Sequence, residues 1–384
     1  MLILFLVYHG FSEHSGMTKK IHYQVKGLRE NGHDVRLCYY GFAGNGHRCR
    51  YIDGTILKDY DTGRLAALRQ RISYESIYNY CIREKIEFIY ALSFMNATPW
   101  LICFFRKLRK IGIKADTEIP TYPYDQELST FSKKERFVLK VDKLFRNWLA
   151  KEMSAIVTFS DEERIFGQRT IRISNGVDFD SIPLHQYQTS PDGSVLLIGV
   201  AEVHLWHGFD RVMTGLGEYY AGSKGEKCEL REVRFHVVGG VHPSQMSHCF
   251  MPIIEKYQLH DKVILHGQLF YKALDEVFDQ CQFAIGSLGR HRTGITVIKT
   301  LKNRECATRG IPFIYSKKDS DFDNQSYVLR APADESLINI QRIIDFVDNF
   351  SMKPKIIRKS VEHLNWKQQM KEVVDAIHES YLCA

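Results

Sequence analysis

At 384 residues, with 44% apolar and 25% charged side chains, the chain is long enough for two ordinary domains and has the composition of a globular enzyme, which excludes a disordered or fibrous class. No apolar run approaches the ~20 residues of a membrane-spanning helix. The nine cysteines are scattered without a C-x-x-C pair or regular histidine spacing, so they read as small core hydrophobes of a reducing compartment and not as a disulfide framework or zinc site. The net charge of +7 is uneven: residues 1–150 carry 24 Lys plus Arg against 15 Asp plus Glu, the remainder 28 against 30, an asymmetry that asks for a partner.

Leu2 to Val7 is a continuous apolar run, as in a parallel strand buried on both faces. It has no basic leader and no cleavage site, so it reads as a strand and not a secretion signal, and a cytoplasmic location is expected. A polar loop from His9 to Gly16 leads into an amphipathic helix over 17–31, stopped by Asn31-Gly32, and Val35 to Tyr40 resumes a strand. Further apolar runs are Phe88 to Leu92, Ala115 to Ile119, Ala155 to Phe159 and Ile171 to Ser174, with helices expected over 98–112 and 134–152. From Ser181 to Asp192 the pattern lapses into Pro183, Pro191, Gln and Ser. It restarts with a strand at Ser194 to Val200, a helix from Phe209 to Tyr220 and a Gly/Lys-rich loop at 221–229. Strands follow at Val233 to Val238, Val263 to His266, Phe283 to Ile285 and Pro312 to Tyr315, and 355–382 is largely helical. Alternating strands and helices predict two successive α/β halves with parallel sheets, whose ligands sit at the carboxyl ends of the strands.

Four segments stand out. They are Ser15-Gly16-Met17-Thr18 with Asn31-Gly32-His33-Asp34-Val35; Val157-Thr158-Phe159-Ser160 with Ile173-Ser174-Asn175-Gly176-Val177-Asp178; Leu197-Ile198-Gly199 with Trp206-His207-Gly208; and Leu301 to Ile314, LKNRECATRGIPFI. In order and spacing they resemble the retaining GT-B glycosyltransferases of the large family that uses nucleotide-activated sugars, glycosyltransferase group 1 or family 4-like, as a divergent subgroup. The resemblance implies an α/β protein of GT-B architecture, two Rossmann-like domains with parallel sheets facing each other across a cleft. The expected boundaries are an acceptor-side domain over 1–182, a linker over 183–192, a nucleotide-sugar-binding domain over 193–360, and a C-terminal helical segment over 361–384 that can pack back on the first domain.

The function this implies is transfer of a sugar from a nucleoside diphosphate sugar to a glycan or lipid-linked acceptor, as in polysaccharide biosynthesis, with retention and without a metal or other cofactor. In 305–314 a helix ends at Gly310 and Pro312 opens a strand. The resemblance makes Glu305 the ribose ligand; spacing alone leaves open a surface ion pair with Lys302. The loop 291–296, with Thr293 and Gly294, can aim backbone N–H groups at a phosphate, while Arg292 and Lys302 supply cations to the leaving diphosphate. Ser15 and Gly16 let backbone approach the donor, or form an ordinary strand-to-helix turn. The family commonly has two glutamates eight positions apart; the first falls at Val297. Where it often has Arg and Lys after the first strand of the second domain, this chain has Glu202 and His207, so His207 shares the phosphate work. Glu118 and Asp125 are the carboxylates of a Pro-stiffened segment, 118–125, whose Tyr122 and Tyr124 either stack on sugar rings or pack on the core.

Arg106, Lys107, Arg109 and Lys110 follow an apolar stretch from Trp100 to Phe105, and Lys133, Lys134, Arg136, Lys140 and Lys143 add a second cluster. Such a surface suits peripheral contact with an anionic membrane face. The alternative, core aromatics with solvated cations, stays open. No nucleic-acid module is present, and no G-x-G-x-x-G turn supports a dehydrogenase. A GT-B epimerase or phosphorylase, and a non-catalytic nucleotide-sugar-binding protein, are the remaining readings.

Overall fold

A computed structural model of the chain describes residues 1–12, 15–93, 95–125, 132–186, 192–222 and 230–378, with the backbone of 379–382. Two compact units result: unit 1 is Met1–Gly176 with Trp366–Ala384, and unit 2 is Val177–Asn365.

Unit 1 contains β1 (Leu2–Val7), α1 (Gly16–Glu30), β2 (Asp34–Phe42), β3 (Arg48–Ile52), β4 (Thr55–Asp59), α2 (Gly63–Ile72), α3 (Glu75–Arg83), β5 (Phe88–Leu92), α4 (Pro99–Lys110), β6 (Lys114–Ile119), α5 (Lys133–Ala150), β7 (Ala155–Thr158), β8 (Arg164–Ile165) and β9 (Gln168–Arg172). The sheet order is β4-β3-β2-β1-β5-β6-β7-β9-β8. It is parallel from β2 to β9, with β3, β4 and β8 added antiparallel at its rims. The apolar runs read from sequence become the central strands because both of their faces are covered. On one face Ile21, Val25 and Leu28 of α1 pack with Phe5, Val7 and Tyr90. On the other, Leu101, Phe104, Phe105 and Leu108 of α4 pack with Leu4, Leu6 and Ile89.

Unit 2 contains β10 (Val195–Val200), α6 (Phe209–Gly222), β11 (Val233–Val238), α7 (Pro243–Gln245), α8 (Met251–Tyr257), β12 (Val263–Gly267), α9 (Tyr271–Gln280), β13 (Phe283–Ile285), α10 (Leu301–Arg309), β14 (Phe313–Tyr315), β15 (Val328–Arg330), α11 (Ile340–Asn349) and α12 (Pro354–Ser360). Its six strands are all parallel, in the order β12-β11-β10-β13-β14-β15. That is the doubly wound order with its reversal between β10 and β13, where such sheets place their ligands. Helices α6 and α11 bury Val212, Leu216, Ile343 and Val347 on one face. Phe278, Cys306, Ala307 and Ile357 cover the other.

The division falls at 176/177, ahead of the polar stretch expected as linker, of which 187–191 lie outside the described residues, as do 223–229 of the Gly/Lys-rich loop. Residues 177–182 are held in unit 2 because Arg358 donates to the carbonyls of Phe179 (2.5 Å) and Ile182 (2.8 Å). Val361 and Leu364 also belong to the core of unit 2. The last helix, α13 (Trp366–Leu382), returns to unit 1, where Trp366, Met370, Val373 and Ile377 pack against α1 and the sheet. Of the seven described cysteines, none paired, Cys38, Cys49, Cys81, Cys281 and Cys306 are buried. No helix among the described residues is long and apolar enough to cross a membrane.

Candidate functional site

At the reversal of the unit 2 sheet, the loop after β10 (201–208) meets the loop after β13 (286–294). The N–H groups of Leu288 and Gly289 donate to the carbonyls of His207 (3.0 Å) and Trp206 (3.1 Å). A Cβ at Gly208, which has φ +68°, would sit 2.7 Å from the nitrogen of Gly289, and one at Gly289 would sit 2.6 Å from the carbonyl oxygen of Leu205. Only glycine at both positions lets the loops close on each other. Arg211, buried on α6, ties the junction down through the carbonyls of Leu288 (2.5 Å) and Ser336 (2.7 Å).

Lys302 and His207 meet at this junction. Lys302 lies in the first turn of α10, whose N-terminus is capped by Thr300 accepting from the N–H of Asn303 (3.4 Å). Its stem is partly exposed, but its Nζ is shut off from solvent and has no hydrogen-bond partner among the described residues. The ammonium lies 4.8 Å from the ring centroid of Phe209. Burial lowers its pKa to about 7, and Arg290 pushes the same way, while Cys306 and Glu305 oppose. The ring of His207 is 5.8 Å from that of Phe209, and its Nδ1 accepts the N–H of His204 (3.0 Å). That bond fixes the neutral tautomer with the proton on Nε2, leaving an N–H donor. Burial, with Lys302 and Arg290 nearby, holds the pKa of His207 well below its ordinary value, so the ring is neutral at pH 7. His204 stacks on Trp206 at 4.2 Å, and Arg290 lies over Trp206 at 5.5 Å.

Arg292 is placed beside these groups but is not open to a ligand. Its five N–H donors are spent on Asp210 (3.0 and 2.7 Å), Glu335 (2.8 and 2.5 Å) and the carbonyl of Leu205 (2.8 Å). The expectation of a free phosphate-binding arginine is corrected on that ground: Arg292 pins the loop to α6 and to the segment around Glu335. Its hydrogen bonds hold the carboxyl of Glu335 down at about 2. Thr293 is buried and donates its hydroxyl to the carbonyl of Arg290 (3.0 Å), and Gly294, at φ +68°, closes the same turn. These two shape the loop. Val297 pairs with Lys318 in an isolated parallel bridge.

Glu305 is half-buried on α10, three residues after Lys302. Among the described residues it pairs with Arg309 (3.0 Å) and not with Lys302, through Oε1 alone. Gly310 follows the helix at φ +80°, as the sequence requires.

In unit 1 the expected carboxylates have other work. Glu118 is fully buried; it accepts from Lys20 (2.7 Å), Gln24 (2.5 Å) and the hydroxyl of Tyr90 (2.6 Å). A carboxylate so enclosed is a structural counter-ion, which corrects its reading as a catalytic group. Asp125 is locked to Arg146 (2.6 and 3.0 Å) and Lys143 (3.3 Å), which keep its pKa low. Tyr124 is a core residue whose hydroxyl donates to Asp142 (2.6 Å), so its face is not offered to a sugar. Tyr122 is partly buried against Phe166, 5.7 Å between centroids. Ser15 caps α1 by accepting from the N–H of Thr18 (3.4 Å), and Gly16 is the first residue of that helix. Among the described residues no cluster of His, Cys, Asp and Glu could hold a metal ion.

Sequence reasoning passed over Arg211 and Arg290, and gave no role of their own to Trp206 and Arg304, which it quoted only as members of the motif segments. The aromatic and basic residues of 204–211 are the one signal that could have marked the loop; the partners of the three arginines lie too far along the chain to be inferred.

No family model matches the sequence, and no curated protein matches it. Solved structures do. Sucrose-phosphate synthase from Thermosynechococcus elongatus superposes over 100% of this chain and 99% of its own, with a TM-score of 0.67 at 14% identity. The catalytic domain of starch synthase IV from Arabidopsis thaliana, bound to ADP and acarbose, covers 98% of this chain and 99% of its own, with a TM-score of 0.64 at 12% identity. Anabaena HepE in complex with UDP covers 99% and 100%, with a TM-score of 0.60 at 13% identity. The chain has the GT-B fold of these proteins.

Proposed function

We propose that the chain is a glycosyltransferase that moves a sugar from a nucleoside diphosphate sugar onto a glycan or lipid-linked acceptor, with the nucleotide held by unit 2. The observation that carries this reading is the enclosed ammonium of Lys302, without a hydrogen-bond partner among the described residues, close enough to neutral His207 to depress that ring's pKa, at the point where the sheet reverses. A buried amine without a partner is costly, and an arriving diphosphate supplies the charge it lacks. Neighbours of the same fold carry UDP or ADP, which points to a nucleoside diphosphate as the ligand class.

When the bond from the anomeric carbon to the diphosphate breaks, negative charge collects on the leaving phosphate oxygen. Lys302 and His207 donate to that charge, so side chains do what a divalent ion does elsewhere. The family resemblance adds retention, by attack on the face from which the diphosphate departs. Glu305, with Oε2 unused, takes the ribose hydroxyls. Glu305→Ala is expected to weaken UDP or ADP binding by about 1–3 kcal/mol, read by titration calorimetry. An unchanged isotherm removes Glu305 from the site. Val297, where the family commonly has a glutamate, favours one second reading, a non-catalytic binder. Tight nucleotide binding without turnover across donor and acceptor panels would select it.

A membrane surface is the partner we propose for unit 1. On α4 the aromatics Phe104 and Phe105 are core, while Arg106, Lys107, Arg109 and Lys110 are all exposed, with Arg106 and Arg109 each donating to Glu152 (2.8 and 3.0 Å). On α5, Phe137, Leu144 and Trp148 are exposed by more than half at helical spacing, among exposed Lys133, Lys134, Arg136, Lys140 and Lys143. An apolar stripe bordered by cations fits an anionic lipid interface, which takes both at once. Reversing the charges of Lys107, Lys110, Lys133 and Lys134, which spares the two arginines bound to buried Glu152, is expected to abolish sedimentation with phosphatidylglycerol vesicles and leave folding intact. Equal sedimentation of variant and parent removes the idea.

A further inference from the structure

Unit 1 holds a groove that none of these readings uses. It has a volume of about 710 Å³ and lies between α1 and the β2–β3 edge of the sheet. That is within the span of small-ligand sites, about 300–1,000 Å³. Its floor is apolar, formed by Val25 and Leu37. Along one side Phe11, His22 and Tyr39 present rings in mutual contact, and Tyr51 backs Tyr39 from outside the lining. His22 meets Phe11 at 5.0 Å, Phe11 meets Tyr39 at 4.7 Å, and Tyr39 stacks on Tyr51 at 5.4 Å with 12° between planes. Phe11, Tyr39 and Tyr51 are each only partly buried. Tyr51 can lie flat there because Gly41 has no side chain: a Cβ at Gly41 would meet its ring at 2.8 Å.

The rim is ionic but neutralised within itself. Lys26 pairs with Glu30 (3.9 Å) and Arg29 with Asp53 (3.8 Å), while Arg36 pairs with Asp34 (3.0 Å) and also approaches Asp53 (3.9 Å), so three cations face three carboxylates. A phosphate or other strong anion entering here would have to face Glu30 and Asp53. A purely apolar ligand would strand the rim's hydrogen-bonding groups. The ligand that satisfies both sides has flat C–H faces for the aromatic row and many hydroxyls for the paired charges.

We propose that this groove binds a neutral oligosaccharide. The site stands on the residues of unit 1 alone and does not depend on the nucleotide reading of unit 2.

The test is a glycan array of neutral and sulfated oligosaccharides, followed by titration of the best neutral hexasaccharide into the full chain, its Tyr39→Ala variant and its His22→Ala variant. His22 is exposed, so its removal leaves the core untouched; Tyr39 touches the core, so its variant is read only if its circular dichroism matches the parent. Binding of neutral oligosaccharides, weakened at least tenfold in Tyr39→Ala and measurably in His22→Ala with UDP binding unchanged, is the expected result. If Tyr39→Ala does not fold, the His22→Ala arm decides. No neutral oligosaccharide bound, binding confined to sulfated glycans, or affinity unchanged in the folded variants overturns the proposal.

Discussion

Lys302→Met is expected to weaken nucleoside diphosphate binding by roughly 30- to 150-fold and, in the same molecule, to raise the melting temperature. Both effects come from one fact: the amine is buried with no hydrogen-bond partner among the described residues, and its pKa is lowered from 10.5 to about 7. The unfolded chain binds this proton below about pH 10.5, while the folded chain binds it only below about pH 7. Folding therefore carries a penalty that grows as pH falls from 10.5 to 7 and is constant below that. A shift of that size is worth on the order of 4 kcal/mol. Methionine fills a similar volume without a charge, so about 2 kcal/mol or more is recovered at pH 7, and close to nothing above pH 10.5. For a unit of this size the gain corresponds to a rise of roughly 5 °C. The binding loss is the removal of a charge-assisted hydrogen bond, about 2–3 kcal/mol. A site that is destabilising when empty and repaid by its ligand is what a functional group gives and a structural one does not. A variant that loses stability, or binds UDP as the parent does, contradicts this.

Arg304→Met, two residues further along the same helix, is expected to do the reverse and cost 3–5 kcal/mol. Arg304 and Asp319 are both fully buried and doubly bonded (2.7 and 2.9 Å), and Asp321 completes the arrangement. Arg304 also holds the carbonyl of Thr300 (3.2 Å), and Asn303 donates to Asp319 (3.1 Å), so the start of α10 is fastened through this cluster. Removing the cation strands two carboxylates. Burial already raises the pKa of Asp319 and Arg304 opposes it, so without Arg304 the carboxyl moves further up. A carboxyl raised in the folded state gives support that is fully present below its unfolded pKa and is lost as pH rises through its folded pKa. The variant should therefore be least stable at pH 8 and partly recover at pH 5, measured by urea denaturation. A loss below about 1 kcal/mol, equal at both pH values, would place the weight of α10 elsewhere.

Much of this fold is legible in the chain. Leu2–Val7, Phe88–Leu92 and Phe283–Ile285 are strands at the expected residues, since a strand covered on both faces is apolar throughout, and Val233–Val238 is a strand as expected although Arg234 and His236 interrupt its apolar run. The hairpin β3–β4 escapes this logic: its outer strand, Thr55–Asp59, is largely exposed, and its one fully buried cation, Arg50, is accepted only because Tyr40 and the carbonyl of Gln70 receive it. At the sheet edge, β9 begins at Gln168, earlier than Ile171, because backbone pairing there does not need apolar side chains. Positions along α10 were readable from the motif; occupancy was not. Whether Arg292 is free depends on Asp210 and Glu335, 82 and 43 residues away, and whether Glu118 is free depends on Lys20, 98 residues away. Spacing gives a residue its element, whereas its partners are set by packing of distant segments.

The claim that unit 2 grips a nucleoside diphosphate with Lys302 is tested most directly by titrating the parent protein with UDP and ADP in two buffers of different ionisation enthalpy. A bound diphosphate raises the pKa of Lys302, so a proton is taken up on binding at pH 7.5, and affinity falls as pH rises above 7. Binding with fractional proton uptake and that slope is the predicted result. No binding of either nucleotide, or binding with no proton exchanged and no loss between pH 7 and 9, would contradict it.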